Sequence, residues 1–169
     1  MVGLNKELAA KLALSCSILA HKGHSDITMG HVSARLPGQQ YLHMKPRGLG
    51  LEEVQTADII VIGLDDNKLA GKHERHSEYP IHTEIYKLRD DLKCVIYINP
   101  PFATALGAAD GVLHPIGHEG VLFQNIPLFQ ETTVLIRTQS QGQAATNCLG
   151  DARAALLLYY GVVVVGGSV

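Results

Sequence analysis

Apolar side chains at Leu8, Leu12, Cys16 and Leu19 recur at helical spacing and predict a helix over residues 5–22. Asn5 is placed to cap its start and Gly23 to stop it. Short strand-like runs follow at residues 31–36, 41–44 and 58–64. Pro37-Gly38 separates the first two, and Asp65-Asp66-Asn67 makes a hairpin-type turn after the third. Ile81, Ile85 and Leu88 share one face of a second helix over residues 79–89, with Pro80 in its first turn. A buried strand at 94–98 leads to a helix at 100–109. A strand at 132–137, a helix at 141–148 and a β-branched final strand at 156–165 complete the pattern.

Strands and helices alternate irregularly and several strands join through tight turns. That favours an α/β fold of three layers, α/β/α, around a mostly antiparallel central sheet over a doubly wound parallel one. Neither linker nor repeat divides the chain, so residues 1–169 read as a single domain. The last strand has no evident covering helix, because the chain stops at Val169 soon after Gly166-Gly167.

Composition narrows the function. A net charge of −2 without a local Lys/Arg cluster argues against a nucleic-acid partner. No apolar run approaches the ~20 residues of a membrane span, and the N-terminal stretch, with Lys6, Glu7 and Lys11, does not read as a signal peptide. Cys16, Cys94 and Cys148 are odd in number and widely spaced, which suits buried thiols in a cytoplasmic protein. There is no GxGxxG, P-loop or GxSxG pattern to support a nucleotide or serine-hydrolase site.

Six short motifs carry a resemblance. They are Gly30-His31-Val32-Ser33-Ala34-Arg35, Lys45-Pro46-Arg47-Gly48, Ser77-Glu78-x-Pro80-x-His82-x-x-Ile85-Tyr86, Pro100-Pro101-x-Ala103, Leu149-Gly150 and the closing Gly161–Gly166. Each is weak alone, but in this order and spacing the chain resembles the class II aldolase/adducin family over nearly its whole length. That resemblance implies a homotetramer with active sites between subunits, a glutamate acid/base, and a divalent metal, commonly zinc, held by three histidines. It also implies cleavage, epimerisation, dehydration or decarboxylation next to a carbonyl. Members usually run some tens of residues further, so a C-terminal helix and a substrate-covering segment are not expected here.

The three histidine positions correspond to Tyr97, Asn99 and Tyr160. Alternation on a strand keeps positions 97 and 99 on one face. However, a phenol is a poor zinc ligand unless deprotonated, and an amide oxygen is a hard, weak donor. The expectation is no metal and no other cofactor. The three side chains are then either packing residues or a hydrogen-bonding pocket that polarises a substrate oxygen. A displaced metal site could draw on His73, His76, His114 and His118, although Pro115 and Gly117 argue against a helix at the last pair.

By the same resemblance Glu78 is the acid/base, a role its place before an apolar helix start suits if desolvation raises its pKa. The bland alternative is a carboxylate favoured by the helix dipole. The family's anion loops correspond to Thr28, Gly30 and His31, to Arg47 and Gly48, and to His76 and Ser77. The planar guanidinium of Arg47 fits a carboxylate, shifting the expected substrate from a sugar phosphate to a small carboxylate or carbonyl compound. His82 and Tyr86 read as helix-packing residues. Three functions remain open: a metal-independent lyase or isomerase, a binding or scaffold protein of adducin-head type, and a metal lyase with displaced ligands.

Overall fold

Eight strands form one sheet in the order β4-β3-β2-β1-β5-β8-β7-β6. They are β1 (His31–Ala34), β2 (Tyr41–Met44), β3 (Ile60–Gly63), β4 (Lys68–Ala70), β5 (Cys94–Ile98), β6 (Leu128–Phe129), β7 (Ala154–Leu157) and β8 (Gly161–Gly166). All neighbours pair antiparallel except β6 with β7. The computed structural model describes residues 3–114, 116–123, 125–131 and 134–169. The helices are α1 (Lys6–His21), α2 (Tyr79–Leu88), α3 (Pro101–Ala108), α4 (Gly117–Leu122) and α5 (Gln139–Leu149).

The three-layer architecture follows from period-two alternation along the strands. One face of the sheet turns Met44, Ile62, Val95, Tyr97, Val163 and Leu157 into a core shared with Ile81, Ile85 and Tyr86 of α2 and Ala145 and Leu149 of α5. The opposite face turns Val32, Ala34, Ile98, Leu156 and Val162 toward Leu8, Leu12 and Cys16 of α1, with Ala103 and Leu106 of α3 beside them. Asn5 caps α1, its Oδ1 accepting from the Leu8 N–H at 2.9 Å, and Thr138 caps α5 by accepting from the Gln141 N–H.

Several elements differ from the sequence expectation. The run 156–165 is two strands folded back on each other, because Tyr159 and Gly161 take φ of 66° and 136° and turn the chain. A Cβ at Gly161 would lie 2.3 Å from the Ile98 carbonyl oxygen, so only glycine allows this approach. Residues 132 and 133 lie outside the described residues, and 134–137 do not form the expected strand. The last strand is covered: β8 lies between β5 and β7 with α3 against it. A helix does form at Gly117–Leu122, contrary to expectation; residue 117 enters at φ 76° and serves as its first residue. The two-residue β6 and the edge strand β4 carry too short a pattern to be read in advance.

Candidate functional site

The site is built where β1, β5 and the start of α2 meet. Alternation puts His31 and Ser33 of β1 on the sheet face toward α2, while Val32 and Ala34 enter the opposite core. His82 and Tyr86, four residues apart, share the α2 face that looks back at them. The β1–β5 register sets His31 opposite Tyr97. Their rings stack at 4.6 Å between centroids with 16° between planes. His76, from the loop before α2, lies with its ring 4.2 Å from that of His31.

A run of short hydrogen bonds crosses this buried interface. His31 Nδ1 and His82 Nε2 are 2.6 Å apart, as are His82 Nδ1 and Ser33 Oγ. Ser33 Oγ is 3.0 Å from the Tyr86 hydroxyl, which donates to the Ser33 carbonyl at 3.1 Å. Burial holds both imidazoles neutral: it lowers His31 well below its ordinary value, with His76, His82 and Lys45 adding to the effect, and lowers His82 to about 3. Burial likewise lowers His76 to about 4, and its Nδ1 accepts the Glu78 backbone N–H at 3.3 Å.

Glu78 stands at the N-terminal boundary of α2 without capping it through its side chain. It is buried, and desolvation raises its carboxyl to about 7, with the Ile136 N–H and the Arg137 charge pulling the other way. Its Oε2 is 3.7 Å from His31 Nε2, too far for a hydrogen bond. Both atoms are buried and without a hydrogen-bond partner. Two orphaned polar atoms facing each other at that distance are the strongest local sign of a ligand position.

Tyr97, Asn99 and Tyr160 also come together, but they close on one another. The Tyr97 hydroxyl donates to the backbone carbonyl of Tyr160 at 3.2 Å and accepts from Asn99 Nδ2 at 3.1 Å. The Asn99 amide also donates to the Tyr160 carbonyl. Burial, then the nearby Glu78, pushes both phenols up from their ordinary range. Beside them Glu78, Phe129, Val134, Ile136, Leu157 and Tyr160 line a cleft too narrow to admit a water molecule.

The loops assigned to anion binding surround this centre. Gly30 enters β1 at φ 74°, and the Thr28 carbonyl accepts from Lys45 Nζ at 3.1 Å. Lys45 is fully buried, its pKa lowered to about 8 by that burial. Arg47 and Gly48 are exposed, the Arg47 N–H pinned to the Glu74 carbonyl at 3.0 Å, and Ser77 is half-buried. Lys45, Ser33, His82 and Tyr86 had no functional reading from sequence. A polar pair on alternate positions of β1, facing a polar pair four apart on an otherwise apolar helix face, was the available signal.

The profile described as "Class II Aldolase and Adducin N-terminal domain" matches residues 10–169. The chain belongs to the class II aldolase and adducin family. It is similar to the 3,4-dihydroxyphthalate decarboxylase of Arthrobacter keyseri, 30% identical over 172 residues, covering 94% of this chain and 68% of that protein. Alpha-adducin of Rattus norvegicus is 24% identical over 97% of this chain, which spans 23% of it. Among solved structures, L-fuculose 1-phosphate aldolase superposes with a TM-score of 0.86 at 22% identity, covering 96% of this chain and 76% of that one. An aldolase II superfamily protein from Pseudomonas syringae gives 0.86 at 24% identity, covering 99% and 69%.

For this family member the donor set at positions 97, 99 and 160 is two phenols and an amide. The Tyr97 hydroxyl and the Asn99 amide are already spent on a backbone carbonyl, and these groups do not fit a three-imidazole zinc centre. Of the four histidines considered for a displaced site, His114 and His118 are exposed and His73 bonds Asp58 at 2.9 Å. Among the described residues, the group with metal-ligand spacing is His31, His76 and Glu78, whose ligand atoms all lie within 4.8 Å of one another.

Proposed function

We propose that this chain is a lyase- or isomerase-type enzyme acting on a small carboxylate- or carbonyl-bearing substrate, with Glu78 as acid/base and without its family's zinc. The observation that carries this reading is the state of Glu78. A carboxyl with a pKa of about 7 populates both forms near neutrality, as proton transfer requires. A carboxylate kept only for the helix would have capped it, and this one is turned toward an unpaired imidazole nitrogen instead.

Decarboxylation is the reaction we favour, in line with the 30%-identical relative. The bond from substrate carbon to carboxylate breaks and its electron pair stays on that carbon. Carbon dioxide leaves, and protonated Glu78 delivers a proton to the same carbon before solvent restores it. Exposed Arg47 would hold a second anionic group through its planar fork, with Thr28, Gly30, Gly48, His76 and Ser77 shaping the loops around it. Tyr97, Asn99 and Tyr160 form the far wall. For them to hold a developing oxyanion, Tyr97 or Asn99 must release the Tyr160 carbonyl when substrate binds. The protein would work in the cytoplasm, where its free cysteines stay reduced, as a homo-oligomer and by resemblance a tetramer. Glu78→Gln in a carbon dioxide release assay tests the reading; full activity in the folded variant would end it.

A second reading has its own observation. The cleft beside Glu78, walled on one side by Tyr160, is too narrow to admit a water molecule, whereas most small-molecule sites enclose ~300–1,000 Å³. That favours a binding or scaffold role. Calorimetric titration with hydroxy and keto acids separates the two, since a scaffold gives no saturable heat.

A further inference from the structure

The hydrogen-bond run from His31 to Tyr86 has a direction, and the direction decides what His31 can recognise. A neutral imidazole carries one N–H and one bare nitrogen, so with every contact a hydrogen bond the run can be polarised in only two ways. Either every donor points away from Glu78, leaving His31 Nε2 bare, or every donor points toward it, leaving Nε2 protonated. The far end chooses. The Tyr86 oxygen lies 3.1 Å from the Ser33 carbonyl and 3.5 Å from the Lys93 carbonyl. Carbonyl oxygens only accept, so the 3.0 Å contact to Ser33 Oγ and the 3.1 Å contact to the carbonyl are both hydrogen bonds only when the phenol proton lies on the carbonyl side and the hydroxyl presents its lone pair to Ser33.

The remaining steps follow. Ser33 O–H donates to Tyr86, His82 Nδ1–H donates to Ser33, and His31 Nδ1–H donates to the bare Nε2 of His82. We infer that His82, Ser33 and Tyr86 are positioning residues that hold His31 as the tautomer with a bare Nε2, so that beside Glu78 the site accepts a substrate hydroxyl as hydrogen-bond donor. The run ends on backbone carbonyls, which cannot pass a proton on, so it orients His31 and does not relay. It also separates the two sides of the substrate. A carboxylate cannot bind at His31 Nε2, because two acceptors would face each other, and belongs at Arg47. A divalent cation is the competing occupant of a bare nitrogen. Yet His76 accepts the Glu78 N–H at Nδ1, which puts its own proton on Nε2 and removes it as a ligand there.

This inference rests on reading the pocket as a substrate site, and its tests are separable from those of Glu78. In ¹⁵N-histidine-labelled protein near pH 7, His31 should show a protonated Nδ1 and an unprotonated Nε2. The signals are assigned by their loss in His31→Gln or, if that variant does not fold, by their perturbation in Tyr97→Phe. A protonated Nε2 overturns the proposal even if Glu78→Gln is inactive. The binding probes are 3,4-dihydroxybenzoate and 3,4-difluorobenzoate, which share a carboxylate and differ in the hydroxyl donors. The dihydroxy acid should bind about ten- to a hundredfold more tightly, and Ser33→Ala should bring that ratio toward one. A purely structural role for Ser33 would lower stability and leave the ratio alone. Equal affinities, or no binding of either acid, overturn the hydroxyl assignment. So does uptake of Zn²⁺ or Co²⁺ that His31→Gln abolishes.

Discussion

Two clusters of buried polar side chains face each other across this site and treat their hydrogen-bonding capacity in opposite ways. On the β1–α2 side, His82, Ser33 and Tyr86 satisfy one another while His31 Nε2 and Glu78 Oε2 are left without partners. On the β5–β8 side, Tyr97 and Asn99 spend their donors on the Tyr160 carbonyl at the hairpin turn. An unpaired buried polar atom costs roughly 1–3 kcal/mol, so a facing pair of them marks a candidate ligand position. The closed cluster tells the complementary story. Where the family resemblance places metal ligands, the Tyr97 hydroxyl and the Asn99 amide N–H are spent on each other and on a backbone carbonyl, and only Asn99 Oδ1 is left without a partner.

The sharpest way to break this comparison is Glu78→Gln, which should lower turnover by about 10²–10⁴-fold with the circular dichroism spectrum unchanged. The same carboxyl sets a pH dependence. Its folded pKa, about 7, exceeds the ordinary 4.5, so the folded state holds the proton more tightly than the unfolded chain. Its contribution to stability should therefore fall as pH rises from about 4.5 to about 7 and level off above, against the opposite slope that the buried His31, His76 and His82 give below about 6.5. Glu78→Gln should remove the carboxyl's slope and leave the variant more stable at pH 8, by of order 3 kcal/mol. Urea titrations at pH 5 and pH 8 measure it, and parallel slopes for the two proteins would discredit the buried, unpaired carboxyl.

The β5–β8 side is tested next by restoring imidazoles. Tyr97→His, Asn99→His and Tyr160→His together should take up one zinc per chain by elemental analysis, while the wild-type protein takes up none. A stoichiometric metal in the wild type would shift attention to His31, His76 and Glu78. Gly161→Ala forces a Cβ against the Ile98 carbonyl at a positive φ. It should cost roughly 1–3 kcal/mol in chemical denaturation and loosen the carbonyl that Tyr97 and Asn99 share. Smallest is Tyr97→Phe, which keeps the ring stacked on His31 and removes only the hydroxyl. About 1 kcal/mol of stability should go, with kcat changed by less than a fewfold. A hundredfold loss would instead place the Tyr97 hydroxyl on the substrate.

Much of the fold was legible in the residue pattern because local and tertiary demands agreed. The β2 and β5 runs, the Asn5 cap and the buried Ile81 and Ile85 of α2 stand where periodicity put them, while Leu88, expected on the same face, is exposed at the end of the helix. The failures were positional. Leu158–Tyr160 looks like strand continuation, since a turn made by Tyr159 and Gly161 depends on the close approach of β8 to the Ile98 carbonyl, which no local propensity records. Strands of two or three residues such as β4 and β6 carry too little pattern to stand out.

For the site, the sequence alone determined which residue types were present: the glutamate before α2, and phenol and amide groups at the three positions where the family places imidazoles. Those follow from spacing and side-chain chemistry. Only the tertiary structure decided which groups are satisfied. His82 and Tyr86 look like packing residues on a helix, and become an orienting chain once β1 sets His31 and Ser33 against them. The bonds that join His31 and Ser33 to His82 and Tyr86 span 49 to 53 residues, and a linear chain does not contain those distances.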